Sequence, residues 1–385
     1  MITRTVLAFF IVTIISECFC FVAKPCNPNE CRLPDCRCSG TDIPGNIPAK
    51  ETPQFVMITF DDAVTFLNNE YYQQAFPNRE NPDGCPVAAT FYISHEYTDY
   101  SLVHKLHRQG HEIALHSITH FSSTEYWKKI SLSGLTDEFV GQKVLTSHFA
   151  KIPYDDLQGI RMPFLQLSND DKSFEMLNKG GITYDSSWPS QKSPGLWPYT
   201  LDSTSTQDCV IGPCPTNSWN GTWVQPMLSW KDPRDVYCSM VDMCLGLPQD
   251  VDGLVGFMIE NFNRNYLTNK APFGFFVHSA WFMVGENHFA AFVKFIDYLQ
   301  GLPDVYLVGV SDVLKWVKNP VSISKMKSSS WSNCRKPTAP DCVAKSCRLK
   351  KNGQERYMTH CENKCPATYP WLGNPLGENV AKSIM

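Results

Sequence analysis

FVMITFDD, residues 55–62, is the stretch on which the fold turns. A run of strand length, apolar but for Thr59, ends abruptly on two carboxylates, Asp61 and Asp62. Runs of the same kind recur at 87–93, 112–116, 182–185, 273–278 and 305–310. Between them the apolar residues fall at helical spacing, over 102–109, 137–150, 172–179, 252–267, 289–300 and 312–318. Strands alternating with helices in this way specify a mostly parallel sheet wrapped by helices. Sustained over 52–318, the alternation has the length of an α/β fold of the distorted (β/α) barrel type, whose chemistry sits at the C-terminal ends of the strands. Asp61 and Asp62 stand at such an end.

The stretch 186–249 interrupts the alternation with many Pro, Ser, Trp and Cys residues and little periodicity, so it reads as a long disulfide-pinned loop insertion near the active face. At the N-terminus, Arg4 precedes an apolar stretch over 6–15 and then Cys18 and Cys20, the pattern of a signal peptide over 1–20. The apolar stretch is shorter than the roughly 20 residues that span a bilayer. Cleavage after Cys20 would remove two of the 16 cysteines, leaving an even 14. A secreted protein with no membrane association after cleavage is expected. The cysteines fall into a group of four in a segment over 21–51, five in the middle and five in a Cys-rich tail over 319–385. Two groups are odd, so at least one bridge must tie distant parts of the chain. Asn220-Gly221-Thr222 is a glycosylation sequon, expected on a surface loop. The net charge of −4 and the lack of a basic run with interleaved aromatics argue against a nucleic-acid partner. A monomer is expected.

Four further clusters carry chemistry. His116-Ser117-Ile118-Thr119-His120 spaces two imidazoles so that they share a face if the backbone turns helically after its strand. Two imidazoles and one carboxylate are a common set for catalytic zinc, with a position left for water or substrate. One carboxylate of the adjacent Asp61-Asp62 pair can be that ligand while the other stays free as a base. His278 ends an apolar strand, where barrel geometry points it into the same mouth. Arg161-Met162-Pro163-Phe164 places an Arg that can orient a carboxylate base, and Asp185-Ser186-Ser187-Trp188 places an Asp that can keep an imidazole protonated.

In the order T-F-D-D, H-S-x-x-H, R-x-P-F, D-x-x-W and apolar-x-His, the chain resembles the polysaccharide deacetylase family, also called carbohydrate esterase family four or the NodB-homology domain. The resemblance spans roughly 52–318. It implies a catalytic domain over those residues, Asp61 as general base and Asp62, His116 and His120 as ligands of zinc (Zn2+). It further implies Arg161 orienting Asp61, the backbone N–H near Phe164 at the oxyanion, and His278 as general acid with Asp185 behind it. The chain departs from the family pattern at Ser186-Ser187, where a second acid often stands, and at Phe276, where Leu is usual. Phe276 and Trp188 are therefore expected to reshape the acetyl pocket and, with Phe164, to contact substrate.

The signal peptide, the cluster Cys26, Cys31, Cys36 and Cys38 and the Cys-rich tail look like compact arthropod gut-type chitin deacetylases. That likeness implies secretion to a gut lumen or chitin-containing matrix and a chitin or chitooligosaccharide substrate. Trp197, Tyr199, Trp219, Trp223 and Trp230 of the insertion would then either stack on sugar rings or form the insertion's own core. Two alternatives are a noncatalytic chitin-matrix binding protein on the same scaffold and a deacetylase of another acetylated polysaccharide.

Overall fold

The computed structural model describes residues 22–332 and 334–379, so the expected signal peptide over 1–20 lies outside them. Strand β1 (Gln54–Asp61) is buried at all eight positions and is central to the sheet. It is followed by β2 (Thr90–Ile93), β3 (Glu112–Leu115), β4 (Gly159–Ile160), β5 (Tyr184–Asp185), β6 (Tyr199–Leu201), β7 (Trp219–Val224), β8 (Phe273–His278) and β9 (Val305–Leu307). Among the described residues these nine strands form one sheet in the order β8-β1-β2-β3-β4-β5-β7-β6, with β9 pairing the first half of β1. Every pairing is parallel except that of β6 with β7. Helices cover the curled sheet, giving the α/β half-barrel that the alternation implies, with the C-terminal ends of β1, β3, β4 and β8 at one mouth.

The helices form where an apolar face meets a cap. Tyr100–Arg108 starts two residues before the sequence reading places it, because the Asp99 carboxylate accepts from Ser101 N and Leu102 N. It buries Tyr100, Val103, His104 and Leu106 and ends on Lys105, His107 and Arg108, which suit the negative end of its dipole. The strand read at 87–93 shortens to Thr90–Ile93 because earlier amides bond elsewhere, Val87 N to Arg79 O and Ala88 N to Leu307 O.

The stretch 186–249 is not a loop outside the sheet. It supplies β6 and β7, and Trp197, Tyr199, Trp223 and Trp230 are buried in the core, so the sugar-stacking alternative for them is corrected. Trp219 is half-buried and donates its indole N–H to Asp171. Periodicity did not reveal β7 because its less buried half, Trp219-Asn220-Gly221, mixes an aromatic with two turn formers. The sequon accordingly sits in a strand, not a loop, with Asn220 exposed.

Seven disulfides join the fourteen cysteines among the described residues: Cys26–Cys38, Cys31–Cys36, Cys85–Cys334, Cys209–Cys214, Cys238–Cys244, Cys342–Cys361 and Cys347–Cys365. Cys85–Cys334 is the long-range tie required by the two odd groups. The tail folds as a hairpin, Lys345–Lys351 with Gln354–His360, turning on Asn352-Gly353, where both φ values are positive (49° and 80°). It docks on helix Tyr100–Arg108, where Thr359 bridges Asp99.

Candidate active site

Asp61 is the last residue of β1 and only 3% exposed. Asp62 follows with a φ of +79°, and this left-handed step turns its carboxylate out of the strand into the mouth. His116 and His120 follow β3. They do not converge through a helical turn as the sequence reading assumes. Ser117 and His120 adopt φ of +76° and +42°, and the Ser117 hydroxyl accepts from His120 N at 3.0 Å. The result brings the two rings to 4.8 Å between centroids. His120 Nε2 then lies 3.4 Å, and His116 Nε2 3.9 Å, from Asp62 Oδ1.

These three groups fit a divalent metal. Ligands about 2.0–2.1 Å from a tetrahedral ion are separated by roughly 3.3 Å. His116 Nδ1 donates to the carbonyl of Arg161 at 2.7 Å, which fixes the tautomer and leaves Nε2 as a lone-pair donor. Burial, aided by His120, lowers His116 to about 4 against the opposing pull of Asp61, so the ring is neutral at ordinary pH. The other metal-type grouping that includes a histidine, Cys347, His360 and Cys365, has both cysteines spent in one disulfide.

Arg161, immediately after β4, is fully buried and donates from all three guanidinium nitrogens. Nη1 donates to Asp61 Oδ1 at 2.6 Å and to Thr59 Oγ1 at 2.8 Å, Nε to Ser186 O at 2.8 Å and Nη2 to Ser186 Oγ at 3.2 Å. Its plane lies over the Tyr92 ring at 4.0 Å. Burial alone would raise the Asp61 carboxyl, but Arg161, with His116 and His278, outweighs it and holds the group below the usual carboxylate range. Asp61 is therefore ionised, with Oδ1 tied to Arg161 and Oδ2 facing His116 Nε2 at 3.8 Å.

His278 is in register with Asp61 across β1 and β8. Its partner is Asp242, not Asp185. His278 Nδ1 donates to Asp242 Oδ2 at 2.7 Å, and the His278 amide donates to the same oxygen at 3.1 Å. Burial works against the charged ring, yet the Asp242 hydrogen bond and the charges of Asp61, Asp242 and Asp62 prevail and raise His278 to about 9. Asp185 instead accepts from Ser187 N at 3.0 Å and from Ser187 Oγ at 2.5 Å. Ser187 Oγ in turn accepts from Met162 N, so Asp185 shapes the turn whose Ser186 braces Arg161. Asp242 lies in the short loop closed by Cys238–Cys244. Sequence reasoning missed it because it has no strand-end context, and the close cysteine spacing was its only signal.

Two of the expected substrate contacts are corrected by burial. Phe276 is fully buried, its ring filling the space a Cβ on Gly274 would enter and lying under Arg161 at 5.0 Å. Trp188 is buried among Ile160, Met162 and Tyr199, its indole donating to Asp208 O. Phe164 is 47% exposed with a φ of +57°, its ring 5.6 Å from that of His120, so it does stand at the mouth.

Residues 49–184 match the family model of polysaccharide deacetylases. Chitin deacetylase 8 of Bombyx mori is 45% identical over 365 residues, covering 93% of this chain and 94% of that protein. The chain belongs to the polysaccharide deacetylase family. Within that family, chitin deacetylase 1 of Bombyx mori is 37% identical, over 92% of this chain and 69% of that protein. Among solved polysaccharide deacetylases, the peptidoglycan deacetylase PdaC of Bacillus subtilis aligns over 71% of this chain and 94% of its own, with 13% identity and a TM-score of 0.39, a likeness that carries no argument. Among the described residues no helix is long and apolar enough to cross a membrane.

Proposed function

We propose that this polysaccharide deacetylase is a secreted, zinc-dependent enzyme that hydrolyses the N-acetyl groups of N-acetylglucosamine units in chitin or chitooligosaccharides. One observation carries the reading: an ionised buried carboxylate, a proton-bearing imidazole and a three-residue metal-type donor set meet at a single strand-end mouth. The likeness to two insect chitin deacetylases over nearly the whole chain supports the choice of substrate. Seven disulfides support an oxidising, extracellular setting.

Asp62, His116 and His120 would hold zinc, which when bound supplies Lewis-acid polarisation of the acetamide carbonyl. The free Oδ2 of Asp61 takes the proton of the attacking water, while Arg161 keeps that carboxylate ionised and fixes its orientation. Charge developing on the carbonyl oxygen would be met by the backbone N–H near Phe164. His278, kept protonated by Asp242, delivers a proton to the departing amine.

Acetate release from an N-acetylglucosamine pentamer by the mature protein tests the reading, measured with chelator and again after zinc is restored. Release abolished by chelator and recovered with zinc is the expected result. A zinc-loaded protein that releases nothing overturns it.

A further inference from the structure

The loop that carries His116 and His120 is held from outside. Ser117 and His120 both occupy the left-handed region, which residues with a Cβ adopt only when the surroundings enforce it. The enforcing contacts converge on one residue. Glu138 is completely buried, and its carboxylate accepts from Thr119 N at 2.8 Å, Thr119 Oγ1 at 2.6 Å and Tyr126 OH at 2.9 Å. Its backbone carbonyl also accepts from Ile118 N at 3.2 Å. Both amides between the two histidines, apart from that of Ser117, are thus bonded to Glu138.

Glu138 lies in the middle of a π-helical stretch, Thr136–Val140, between the helical segments Leu132–Leu135 and Gly141–Phe149. Such wide turns insert a residue into a helix and re-aim the side chains around it, by about 100° for one extra residue. The next turn makes a related grip, with Gln142 Nε2 donating to Ile93 O, the carbonyl that also accepts from His116 N. No step of the proposed reaction uses Glu138.

We infer that Glu138 is a positioning residue which, presented by this π-turn, clamps Ile118 and Thr119 and so sets the separation of His116 and His120 required for metal binding. The inference rests on the reading of Asp62, His116 and His120 as a zinc site. It acts through hydrogen-bond geometry rather than charge. In Glu138→Gln the amide oxygen can keep the Thr119 N–H, while the amide NH2 donates to the Thr119 and Tyr126 hydroxyls, both of which can rotate to accept.

The test is the zinc dissociation constant of the mature protein, read by competition with a chromogenic chelator, with the melting temperature of the metal-free protein as a separate readout. Glu138→Ala should weaken zinc by roughly 10–100-fold, the loss usual when a group that orients metal ligands is removed. Glu138→Gln should restore most of it. If the alanine variant does not fold, Thr119→Val, which deletes one hydroxyl at constant shape, should weaken zinc several-fold. Alanine and valine variants that bind zinc as tightly as the wild type overturn the inference alone, as does a glutamine variant as weak as alanine. A wild type that takes up no zinc overturns the metal reading and the inference with it.

Discussion

A buried carboxylate tied to a buried guanidinium is held in one protonation state and one orientation, and Asp61 has both constraints. Asp61→Asn keeps the shape but cannot accept a proton, so it should retain zinc and lose roughly 10²–10⁴ of the deacetylation rate. His120→Ala should lose zinc and activity together, and an Asp61→Asn protein with normal activity would remove Asp61 from the mechanism. The two aspartates considered for His278 separate in the same way. Asp242→Asn should lower kcat about tenfold or more with little change in KM, because it removes the negative charge that helps keep the ring protonated. Asp185→Asn should cost less, since its contacts are to Ser187. Asp61, Asp62, His116 and His278 were legible because strand ends bring side chains to a common mouth whatever the loops do. Asp242 was not, because nothing local says that a disulfide-closed loop folds back onto the end of β8.

At the scale of elements, six strands and six helices were legible from periodicity, their ends moving where caps or foreign hydrogen bonds intervened, whereas β6, β7 and helix Phe66–Ala75 also carry core residues and were not read. Two-residue strands such as β4 have no period to detect. The docking of the tail was illegible for a different reason: its contacts come from single residues of distant loops, among them His95 in the loop after β2. His95 Nδ1 accepts from Tyr100 OH at 2.8 Å and Nε2 donates to Pro370 O at 3.0 Å, while Tyr369 and Trp371 pack on the ring. Burial, with Lys351 nearby, lowers His95 to about 3. A histidine whose folded pKa is depressed contributes stability that is present above its unfolded value, near 6.5, and is lost as pH falls from there toward about 3. Protonation would also set a second ring N–H against the Tyr100 hydroxyl proton. Wild-type stability should therefore fall more steeply below pH 6.5 than that of His95→Gln, which keeps one donor and one acceptor but does not titrate. The difference should approach about 1.4 kcal/mol per pH unit, with faster hydrogen exchange in the tail at low pH. Parallel stability curves for the two proteins would exclude His95 as the origin.

The whole molecule is an open curled sheet with a chain that straps across it. After the last barrel helix, Val310–Lys318, the polypeptide passes Trp331, whose indole donates to Asp83, and is bonded to the Cys85 segment by Cys334. It then runs along helix Tyr100–Arg108, where Thr338 N donates to Arg108 O and Arg335 pairs with Asp156, and reaches the loop after β2 at the far end. Gly110 allows the approach: with a φ of +98°, a Cβ there would lie 2.6 Å from Arg335 O. Cysteine parity demanded such a cross-tie, but its partners are set by the sheet order, which brings residue 85 to the start of β2 and so beside the returning chain. A disulfide spanning a separation of 249 residues acts mainly on the unfolded chain, and loop-closure entropy gives it up to about 5 kcal/mol. Replacing both Cys85 and Cys334 with Ser should therefore lower the urea midpoint substantially while leaving acetate release at 25 °C unchanged, because the mouth lies at the opposite ends of the strands. An unchanged midpoint would mean that the Trp331, Arg335 and Thr338 contacts alone hold the strap, even in the absence of the covalent tie. Lost activity at an unchanged midpoint would mean that the strap's position is transmitted through β2 to the residues at its C-terminal end.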